Sequence, residues 1–411
     1  MPEQRLKSKG GFTVKYTQFG DLMLSHLGMG NMRLPTVGKR GPIDEKLARE
    51  VIECAYDQGI NYYDTAFRYH EGESERFAGK VLAQYPRDSW YLASKFPGHM
   101  LRREGKKLVF TGFGESRLEY FDSIQQIFQL QLDKCGVEYF DFFLLHGLGE
   151  SSYDFYNDQD IGIIDYLLSE KKAGRIKHFG FSSHARAESI EKYLSQWKGI
   201  FEFVQIQINY LDWTLQNAKE KYEIITKHGL PVVAMEPVRG GRLASLPEEA
   251  NALLKAARPN DSPAVWALRF LQGLPGMQVI LSGMSAPEHV LENAEVLSKD
   301  DPAGEEERAL LQKVVESMTN VAPCTACRYC DEACPQNLDI PKLIALHNEA
   351  SHDKSLFGIS AVIRTMSDDE KPSACISCGQ CVKLCPQEID IPDIMSKFSH
   401  MIANPPPSPW G

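Results

Sequence analysis

The sequence predicts an α/β protein, a closed barrel of eight parallel strands and eight helices followed by a smaller, mostly helical module. Two observations support this prediction. Short apolar runs alternate with longer amphipathic runs as far as Leu297, which is the order of elements in a (β/α)8 barrel. Eight of the ten cysteines lie between Cys324 and Cys385. We expect residues 1–300 to form the barrel, 301–320 a connecting helix and 321–411 the C-terminal module.

The strands are predicted from short apolar runs and the helices from apolar residues recurring at a period near 3.6. A doubly wound open sheet is the competing fold, but Leu27-Gly28-Met29-Gly30 lacks the third glycine of a dinucleotide-binding turn. Phe12–Tyr16 and Met23–Ser25 flank Gly20-Asp21 and predict a hairpin that closes the barrel floor. The predicted strands are Leu27–Gly30, Ile60–Asp64, Trp90–Ser94, Tyr139–Leu145, Ile176–Ser182, Phe203–Gln207, Pro231–Met235 and Gln278–Leu281. The predicted helices are Glu45–Asp57, Ser74–Ala83, Arg117–Lys134, Ile161–Lys172, Ala187–Gln196, Leu215–Lys227, Ala264–Gln272 and Pro287–Leu297.

Composition and charge exclude several classes of partner. The net charge of −10 over 411 residues argues against a nucleic-acid-binding face and against a polybasic membrane-surface patch. No segment approaches the roughly 20 apolar residues of a membrane span, and the N-terminus has no apolar signal core. We therefore predict a cytoplasmic protein with no nucleic-acid or membrane partner. In that compartment, cysteines are more suited to metal binding than to disulfides.

The C-terminal cysteines form two runs with the spacing C-x2-C-x2-C-x3-C-P, which is the spacing of bacterial ferredoxins. In that pattern the first three cysteines of a run bind one [4Fe-4S] cluster and the fourth binds the other. Four thiolates also suit zinc, but the repeated x2 spacing and the Cys-Pro of both runs favour two clusters. The predicted ligands are Cys324, Cys327, Cys330 and Cys385 for one cluster, and Cys375, Cys378, Cys381 and Cys334 for the other.

A longer repeat extends beyond the cysteines. Asp339-Ile340-Pro341 and Asp390-Ile391-Pro392 each predict the start of a helix with proline in its first turn. The insert between the runs has helical periodicity, so the module resembles the helical type of ferredoxin rather than the compact hairpin type.

Polar residues end the predicted barrel strands, where the active sites of such barrels lie. They include Asp64, Lys95, His146, Ser182, Ser183, Gln205 and Glu236. From about residue 10 to residue 300 these residues and their neighbours resemble the aldo-keto reductases. Asn61-Tyr62-Tyr63-Asp64-Thr65-Ala66, with Tyr69 five residues after Asp64, Leu92-Ala93-Ser94-Lys95 and Asp141-Phe142-Phe143-Leu144-Leu145-His146 match the family's catalytic tetrad in order.

The resemblance implies the catalytic residues Asp64, Tyr69, Lys95 and His146. Tyr69 would donate a proton to the developing alkoxide, helped by a Lys95 ammonium that favours phenol ionisation and is itself paired with Asp64. His146 would orient the carbonyl oxygen by a hydrogen bond.

The resemblance also implies a dinucleotide, NADP or NAD, at the barrel mouth. Gly283 and His289 stand where several members of the family have basic residues that bind a 2′-phosphate, so the choice of nucleotide is left open, with Arg239 or Arg242 as substitutes. The implied cofactor-binding residues are Gly30, Asn31, Met32, Asp64, Ser182, Ser183, Gln205, Met235, Glu236, Pro237, Val238, Gly240, Gly283, Ser285, His289, Glu292 and Asn293.

We therefore predict an oxidoreductase that reduces a small-molecule carbonyl, an aldehyde or ketone, with NAD(P)H and carries two [4Fe-4S] clusters. An alternative is an electron-transfer enzyme that links a ferredoxin or other one-electron carrier to a bound substrate or flavin. A third is a non-catalytic redox sensor, which the intact tetrad disfavours. The basic loop with Arg102, Arg103, Lys106 and Lys107 suits either an anionic ligand or, as the simpler interpretation, a solvated surface.

Overall fold

The protein is described from a computed structural model that covers residues 13–38, 41–112, 117–318, 322, 324, 328, 330–331, 333–353, 355–385 and 389–405. The chain divides into two compact units. The first contains Met1–Tyr210 and Ala218–Leu311, and the second contains Leu211–Asn217 and Gln312–Gly411.

The described residues form strands only in the first unit and helices in both. The strands are β1 (Tyr16–Phe19), β2 (Leu22–Ser25), β3 (Leu27–Gly30), β4 (Tyr62–Asp64), β5 (Tyr91–Phe96), β6 (Leu101–Glu104), β7 (Lys107–Phe110), β8 (Glu119–Phe121), β9 (Phe140–Leu145), β10 (Ile176–Ser183), β11 (Val204–Gln207), β12 (Val232–Met235) and β13 (Met277–Ser282). The helices are α1 (Glu45–Asp57), α2 (Ser74–Leu82), α3 (Ile124–Cys135), α4 (Tyr153–Asn157), α5 (Ile163–Lys172), α6 (Ala187–Gln196), α7 (Asp212–Leu215), α8 (Ala218–Lys227), α9 (Glu248–Ala257), α10 (Pro263–Gln272), α11 (Pro287–Ser298), α12 (Glu305–Met318), α13 (Ile340–Asp353), α14 (Ser360–Thr365), α15 (Gln380–Leu384) and α16 (Ile391–Ala403).

Eight parallel strands close the barrel in the order β10-β11-β12-β13-β3-β4-β5-β9, so the predicted fold class is confirmed. The register places strand ends side by side: Gly30 lies opposite Asp64, and Asp64 lies opposite Ala93. Lys95 lies opposite Leu144, one residue before the end of β9. The polar residues that end these strands are therefore brought to one mouth of the barrel.

An antiparallel hairpin of β1 and β2 packs at the opposite end, as predicted, although its first strand begins at Tyr16 and Phe12 lies outside the described residues. Phe19 joins the buried cluster inside the barrel and contacts Phe142 edge-on at a ring separation of 5.3 Å. This apolar plug closes the floor of the barrel to solvent.

Two predicted helices begin three or more residues later than expected. The helix predicted over Arg117–Lys134 begins at Ile124, because residues 119–121 form β8, and the Ser123 hydroxyl caps the helix by accepting a hydrogen bond from the Gln126 amide. The helix predicted from Leu215 begins at Ala218, because the separate short helix α7 ends at Leu215 and Asn217 adopts a left-handed backbone conformation with φ of 51°.

The loop after β5 contains a three-stranded antiparallel sheet, β6-β7-β8, which the sequence did not predict. Its Phe110 packs edge-on against Phe67, with ring centres 4.8 Å apart. Three of its four basic residues form ion pairs, Arg102 with Glu104, Arg103 with Asp160 and Lys107 with Asp122. These pairs favour the interpretation of the loop as a solvated surface.

The regular secondary structure of the second unit is entirely helical within its described residues, which agrees with the predicted mostly helical module. Both Asp-Ile-Pro sequences start helices: Asp339 accepts a hydrogen bond from the Lys342 amide at 3.2 Å, and Asp390 accepts one from the Asp393 amide at 3.3 Å. Such side-chain caps satisfy amide groups that have no partner within the helix. No helix among the described residues is long and apolar enough to cross a membrane.

The segment Leu211–Asn217 is an integral part of the second unit, although in sequence it begins only four residues after the end of β11. Its Gln216 amide donates a 3.0 Å hydrogen bond to the Glu349 carboxylate on α13, and both side chains are buried. A seven-residue stretch that interrupts the barrel sequence is thus packed with the C-terminal helices.

Candidate functional site

Lys95 is the centre of the polar cluster at the barrel mouth. Its ammonium donates hydrogen bonds to Asp64 Oδ1 at 2.5 Å, to the Thr65 carbonyl at 2.9 Å and to the Tyr69 hydroxyl at 3.3 Å. Lys95 and Asp64 are only 1% and 3% exposed. An ion pair buried this deeply requires such additional hydrogen bonds to offset the loss of hydration.

The backbone positions this cluster at the ends of β4 and β5. The side-chain amide of Asn31 donates a hydrogen bond to the backbone carbonyl of Asp64 at 3.0 Å, and this bond fixes the end of β4. Tyr69 follows in a tight turn in which His70 and Glu71 adopt left-handed backbone conformations, with φ of 51° and 54°. Two consecutive non-glycine residues in this region are uncommon, and strained backbone of this kind occurs frequently at functional sites.

His146 follows the last residue of β9 and faces the Tyr69 ring edge-on, with ring centres 5.9 Å apart. The Tyr156 hydroxyl donates to the His146 carbonyl at 2.7 Å and holds this loop in place. His146 Nδ1 is buried without a hydrogen-bond partner. The His99 ring lies 4.4 Å from the His146 ring, so a second imidazole, which the sequence analysis missed, borders the same site.

The protonation states follow from burial and neighbouring charges. Burial lowers the pKa of Lys95, but Asp64 and Tyr69 have the larger combined effect, and the pKa of Lys95 lies above its usual value. Burial raises the pKa of Tyr69, and Lys95 opposes this without outweighing it. The sequence prediction that Lys95 favours phenol ionisation is therefore right in direction, but burial dominates. Burial, His99 and Lys95 hold the pKa of His146 well below 6.5, so at neutral pH Tyr69 carries its proton, Lys95 is charged and His146 is neutral.

The two serines at the end of β10 contact the loop that carries His146. The Gly147 amide donates to Ser182 Oγ at 3.0 Å, and Ser183 Oγ donates to the Leu148 carbonyl at 2.6 Å. Gln205, on the neighbouring β11, is 1% exposed and its Oε1 has no partner. A buried amide oxygen without a donor carries a desolvation cost, so Gln205 fits the binding of a ligand amide group.

The loops after β12 and β13 lie close to each other at Arg33, a residue that the sequence analysis missed. Arg33 donates to Glu236 Oε1 at 2.9 Å. A β-carbon added at Gly283 would come within 3.0 Å of the Arg33 side chain, and one at Gly240 within 2.8 Å of its guanidinium. The sequence feature that could have identified Arg33 is its position directly after the predicted binding residue Met32.

The structure places all the predicted dinucleotide-binding residues in the barrel unit, at strand ends, in the following loops or on α11. Asn293 donates to Ser282 Oγ at 2.9 Å, and the Ser285 amide donates to His289 Nδ1 at 3.4 Å, so these side chains order the start of α11. Met32, Gly240 and His289 are exposed, with Met32 at 46%.

In the second unit, four cysteines line one small pocket, Cys334, Cys375, Cys378 and Cys381. Cys334 therefore lies with the second cysteine run, in the grouping that the sequence predicts for one cluster. The Ser377 amide donates to Cys375 Sγ at 3.4 Å. Such N–H···S bonds are among the factors that set cluster potentials.

The other predicted ligands are Cys324, Cys330 and Cys385, which pack against the apolar core of the second unit, and Cys327, which lies outside the described residues. None of the nine described cysteines forms a disulfide. Within the described ranges, no group of three Cys, His, Asp or Glu side chains is close enough to bind a single metal ion.

Comparison with known proteins assigns both parts of the chain. A model described as the aldo/keto reductase family matches residues 26–316, and one described as a 4Fe-4S dicluster domain matches residues 323–389. The NADH-specific methylglyoxal reductase of Escherichia coli K12 is 25% identical over 308 residues, which cover 68% of this chain and 91% of that protein. An aldo-keto reductase of Fusarium vanettenii is 27% identical over 263 residues, 58% of this chain, and the chain spans only 66% of that relative's length.

Among solved structures, the holo form of the aldo-keto reductase AKR11C1 from Bacillus halodurans superimposes with a TM-score of 0.58 at 28% identity, covering 73% of this chain and 96% of that one. An aldo-keto reductase from Klebsiella pneumoniae in complex with NADPH has the same fold, with a TM-score of 0.54 at 19% identity over 74% of this chain and 95% of its own.

Proposed function

Because the chain belongs to the aldo/keto reductase family and is therefore an oxidoreductase with an appended 4Fe-4S domain, we propose that it reduces the carbonyl group of a small aldehyde or ketone with NAD(P)H. The observation that carries the proposal is the contact of the Tyr69 hydroxyl with a buried Lys95–Asp64 ion pair beside His146. This is a proton donor with an adjacent fixed positive charge, arranged at the mouth of a barrel.

The bound dinucleotide would supply the hydride, that is, the electron pair for the new C–H bond. The Tyr69 hydroxyl donates its proton to the carbonyl oxygen, and the alcohol product contains both added hydrogens. The phenolate left on Tyr69 is stabilised by the Lys95 ammonium 3.3 Å away until solvent returns the proton. A neutral His146 donates a hydrogen bond to the carbonyl oxygen and so orients it.

The dinucleotide would bind along the strand ends from β10 to β13. Gln205, with its unpartnered buried oxygen, fits the nicotinamide carboxamide, and Ser182 and Ser183 would border the same group. The loop after β13 and the start of α11 would hold the adenosine phosphates, because helix N-termini bind anions. NADP or NAD is left open: one relative is named for NADH, and one structural neighbour contains NADPH.

We further propose two [4Fe-4S] clusters, with the cavity of Cys334, Cys375, Cys378 and Cys381 holding one of them. When bound, a cluster supplies one-electron transfer. This cavity favours a second candidate function, an electron-transfer enzyme in which a ferredoxin or another one-electron carrier exchanges electrons with the C-terminal unit. A cytoplasmic location remains a prediction from the sequence.

Tyr69→Phe tests the reductase proposal. We expect carbonyl reduction to fall by at least about 100-fold, the lower range for loss of a positioned proton donor, while dinucleotide binding measured by fluorescence titration stays unchanged. Tyr16→Phe is the matched control, because the Tyr16 hydroxyl donates to the Gly59 carbonyl at 2.7 Å near the barrel floor. Equal turnover of Tyr69→Phe and wild type would reject the proton-donor assignment.

A further inference from the structure

A buried carboxylate behind Lys95 takes no part in the reaction as proposed. Glu75 on α2 is 0% exposed, and its Oε1 accepts hydrogen bonds from Ser94 Oγ at 2.6 Å and from Gln131 Nε2 at 2.8 Å. The Lys134 ammonium lies 3.8 Å from Oε2. A buried charge is tolerated only when it is paired and hydrogen-bonded in this way, so these partners specify the position of the Glu75 carboxylate closely.

Gln131 connects Glu75 to the catalytic lysine. Its Nε2 also donates to the backbone carbonyl of Lys95 at 3.0 Å. The carbonyl of Ala93, two residues earlier, accepts from the Thr65 amide at the end of β4. Alternate carbonyls of a strand point to the same side, so the Lys95 carbonyl faces the region where β4 has ended. The Gln131 side chain therefore replaces the missing strand as hydrogen-bond donor.

A glycine allows this arrangement. Gly79 lies one helical turn after Glu75, and a β-carbon there would sit 2.0 Å from the Cys135 carbonyl oxygen at the end of α3. Only glycine permits so close an approach of α2 and α3. Gln131 lies one turn before Cys135, so this approach brings its amide to Glu75.

We propose that Glu75 is a positioning residue for the carbonyl reduction described above: through Ser94 and Gln131 it fixes the end of β5 and holds the Lys95 ammonium against Tyr69. The Gln131 amide nitrogen lies within hydrogen-bond distance of three acceptors, Glu75 Oε1 at 2.8 Å, the Lys95 carbonyl at 3.0 Å and Ser94 Oγ at 3.2 Å, and the first two are the shortest. Replacing the carboxylate by an amide weakens one of these bonds and lets Gln131 rotate. The Lys95 carbonyl at the end of β5 then loses the hydrogen bond from Gln131, which is the only side-chain donor that α3 provides to it among the described contacts. This inference rests on the proposed function.

The test compares Glu75→Gln and Gln131→Leu with wild type in steady-state carbonyl reduction. We expect kcat to fall by about 10- to 100-fold, the range for a small displacement of a catalytic group. The KM for the dinucleotide should change by less than about twofold, because the variants leave the residues that bind the dinucleotide in the ground state in place. Ser94→Ala is the milder variant should either of these fail to fold, and it should lower kcat in the same direction.

Glu170→Gln is the matched control, since Glu170 is another buried carboxylate, 7% exposed, which pairs with Arg175 at the end of α5. It should lower resistance to urea without lowering kcat. If Glu75→Gln lowers urea resistance alone, or raises KM with kcat unchanged, the positioning role is rejected.

A second measurement separates this inference from the proposed function. In protein labelled with ¹³C-tyrosine, the ζ-carbon resonance of Tyr69, assigned through Tyr69→Phe, reports contact with the Lys95 ammonium whether or not turnover occurs. We expect it to shift in Glu75→Gln and Gln131→Leu and to stay in place in Glu170→Gln. An unchanged resonance in both network variants overturns the inference. If the resonance shifts in both variants but the wild-type protein reduces no carbonyl, only the proposed function is refuted.

Discussion

The grouping of cysteines in the second unit predicts how iron content responds to paired substitutions. Cys334 belongs to the first run in sequence but lines a cavity with Cys375, Cys378 and Cys381 of the second run. If this cavity holds one cluster, removal of Cys334 and removal of Cys378 damage the same cluster. Removal of Cys334 and Cys324 damages two different ones.

The expected magnitudes follow from four irons per cluster, or about eight per chain in the anaerobically purified wild type. Cys334→Ser and Cys378→Ser should each lower this value towards about four, and the double variant Cys334→Ser/Cys378→Ser should retain about four as well. Cys334→Ser/Cys324→Ser should retain close to none. The assay is iron and acid-labile sulfide per chain, with the broad absorbance near about 400 nm as a check.

Serine at Cys54 is the matched control, because that thiol lies on α1 and donates only a 3.9 Å contact to the Pro287 carbonyl. The reasoning is refuted if Cys334→Ser/Cys378→Ser loses all iron while Cys334→Ser/Cys324→Ser retains half, since each run would then bind its own cluster. About one zinc per run in the wild type would refute the clusters themselves.

Two further predictions concern charges in the barrel. Asp64→Asn leaves the Lys95 ammonium buried without its carboxylate, so the free energy of unfolding of the barrel should drop by about 3–5 kcal/mol, measured by urea titration; a loss below about 1 kcal/mol would contradict the burial of this pair. Glu202 provides a pH test: burial would raise its pKa, but hydrogen bonds from His178, Lys171 and the Phe179 amide lower it to about 2. A depressed carboxyl pKa stabilises the fold above its unfolded value near 4.5, and this contribution disappears as the pH falls towards 2. Glu202→Gln should therefore lower stability at pH 7 by about 2 kcal/mol, a value reduced for partial exposure, and flatten the acid limb of a stability–pH curve; an unchanged acid limb would count against the assignment.

The sequence predicted the barrel well because its strands are buried on both faces and so read as continuous apolar runs. Leu27–Gly30 matches β3 in both bounds. The β6-β7-β8 sheet was missed because its strands are only three or four residues long and β6 is mostly charged and exposed, with Arg102, Arg103 and Glu104. Its one apolar run, Leu108-Val109-Phe110 in β7, is too short to be distinguished from a loop. The short strand β8 was therefore read as the start of a helix.

The clustering of Asp64, Tyr69, Lys95 and His146 could be predicted because Asp64 and Lys95 lie at the ends of recognisable strands, and Tyr69 and His146 follow such strands. The residues that hold it could not. Glu75 and Gln131 are single polar residues on two helices, and only the packing of α2 on α3 reveals that they meet. Arg33 reaches Glu236 only because closure of the barrel brings the ends of β3 and β12 together, which no local pattern encodes.

The packing of Leu211–Asn217 with the C-terminal helices has a consequence for biosynthesis. This segment is synthesised well before α13. The buried hydrogen bond between Gln216 and Glu349 therefore cannot form until α13 has also been synthesised. A fragment that stops at Leu311 would present this stretch to solvent with no partner helix, directly after the strand that carries Gln205. The C-terminal unit is thus not a detachable tail, because a single cut in the chain cannot release both of its segments, Leu211–Asn217 and Gln312–Gly411.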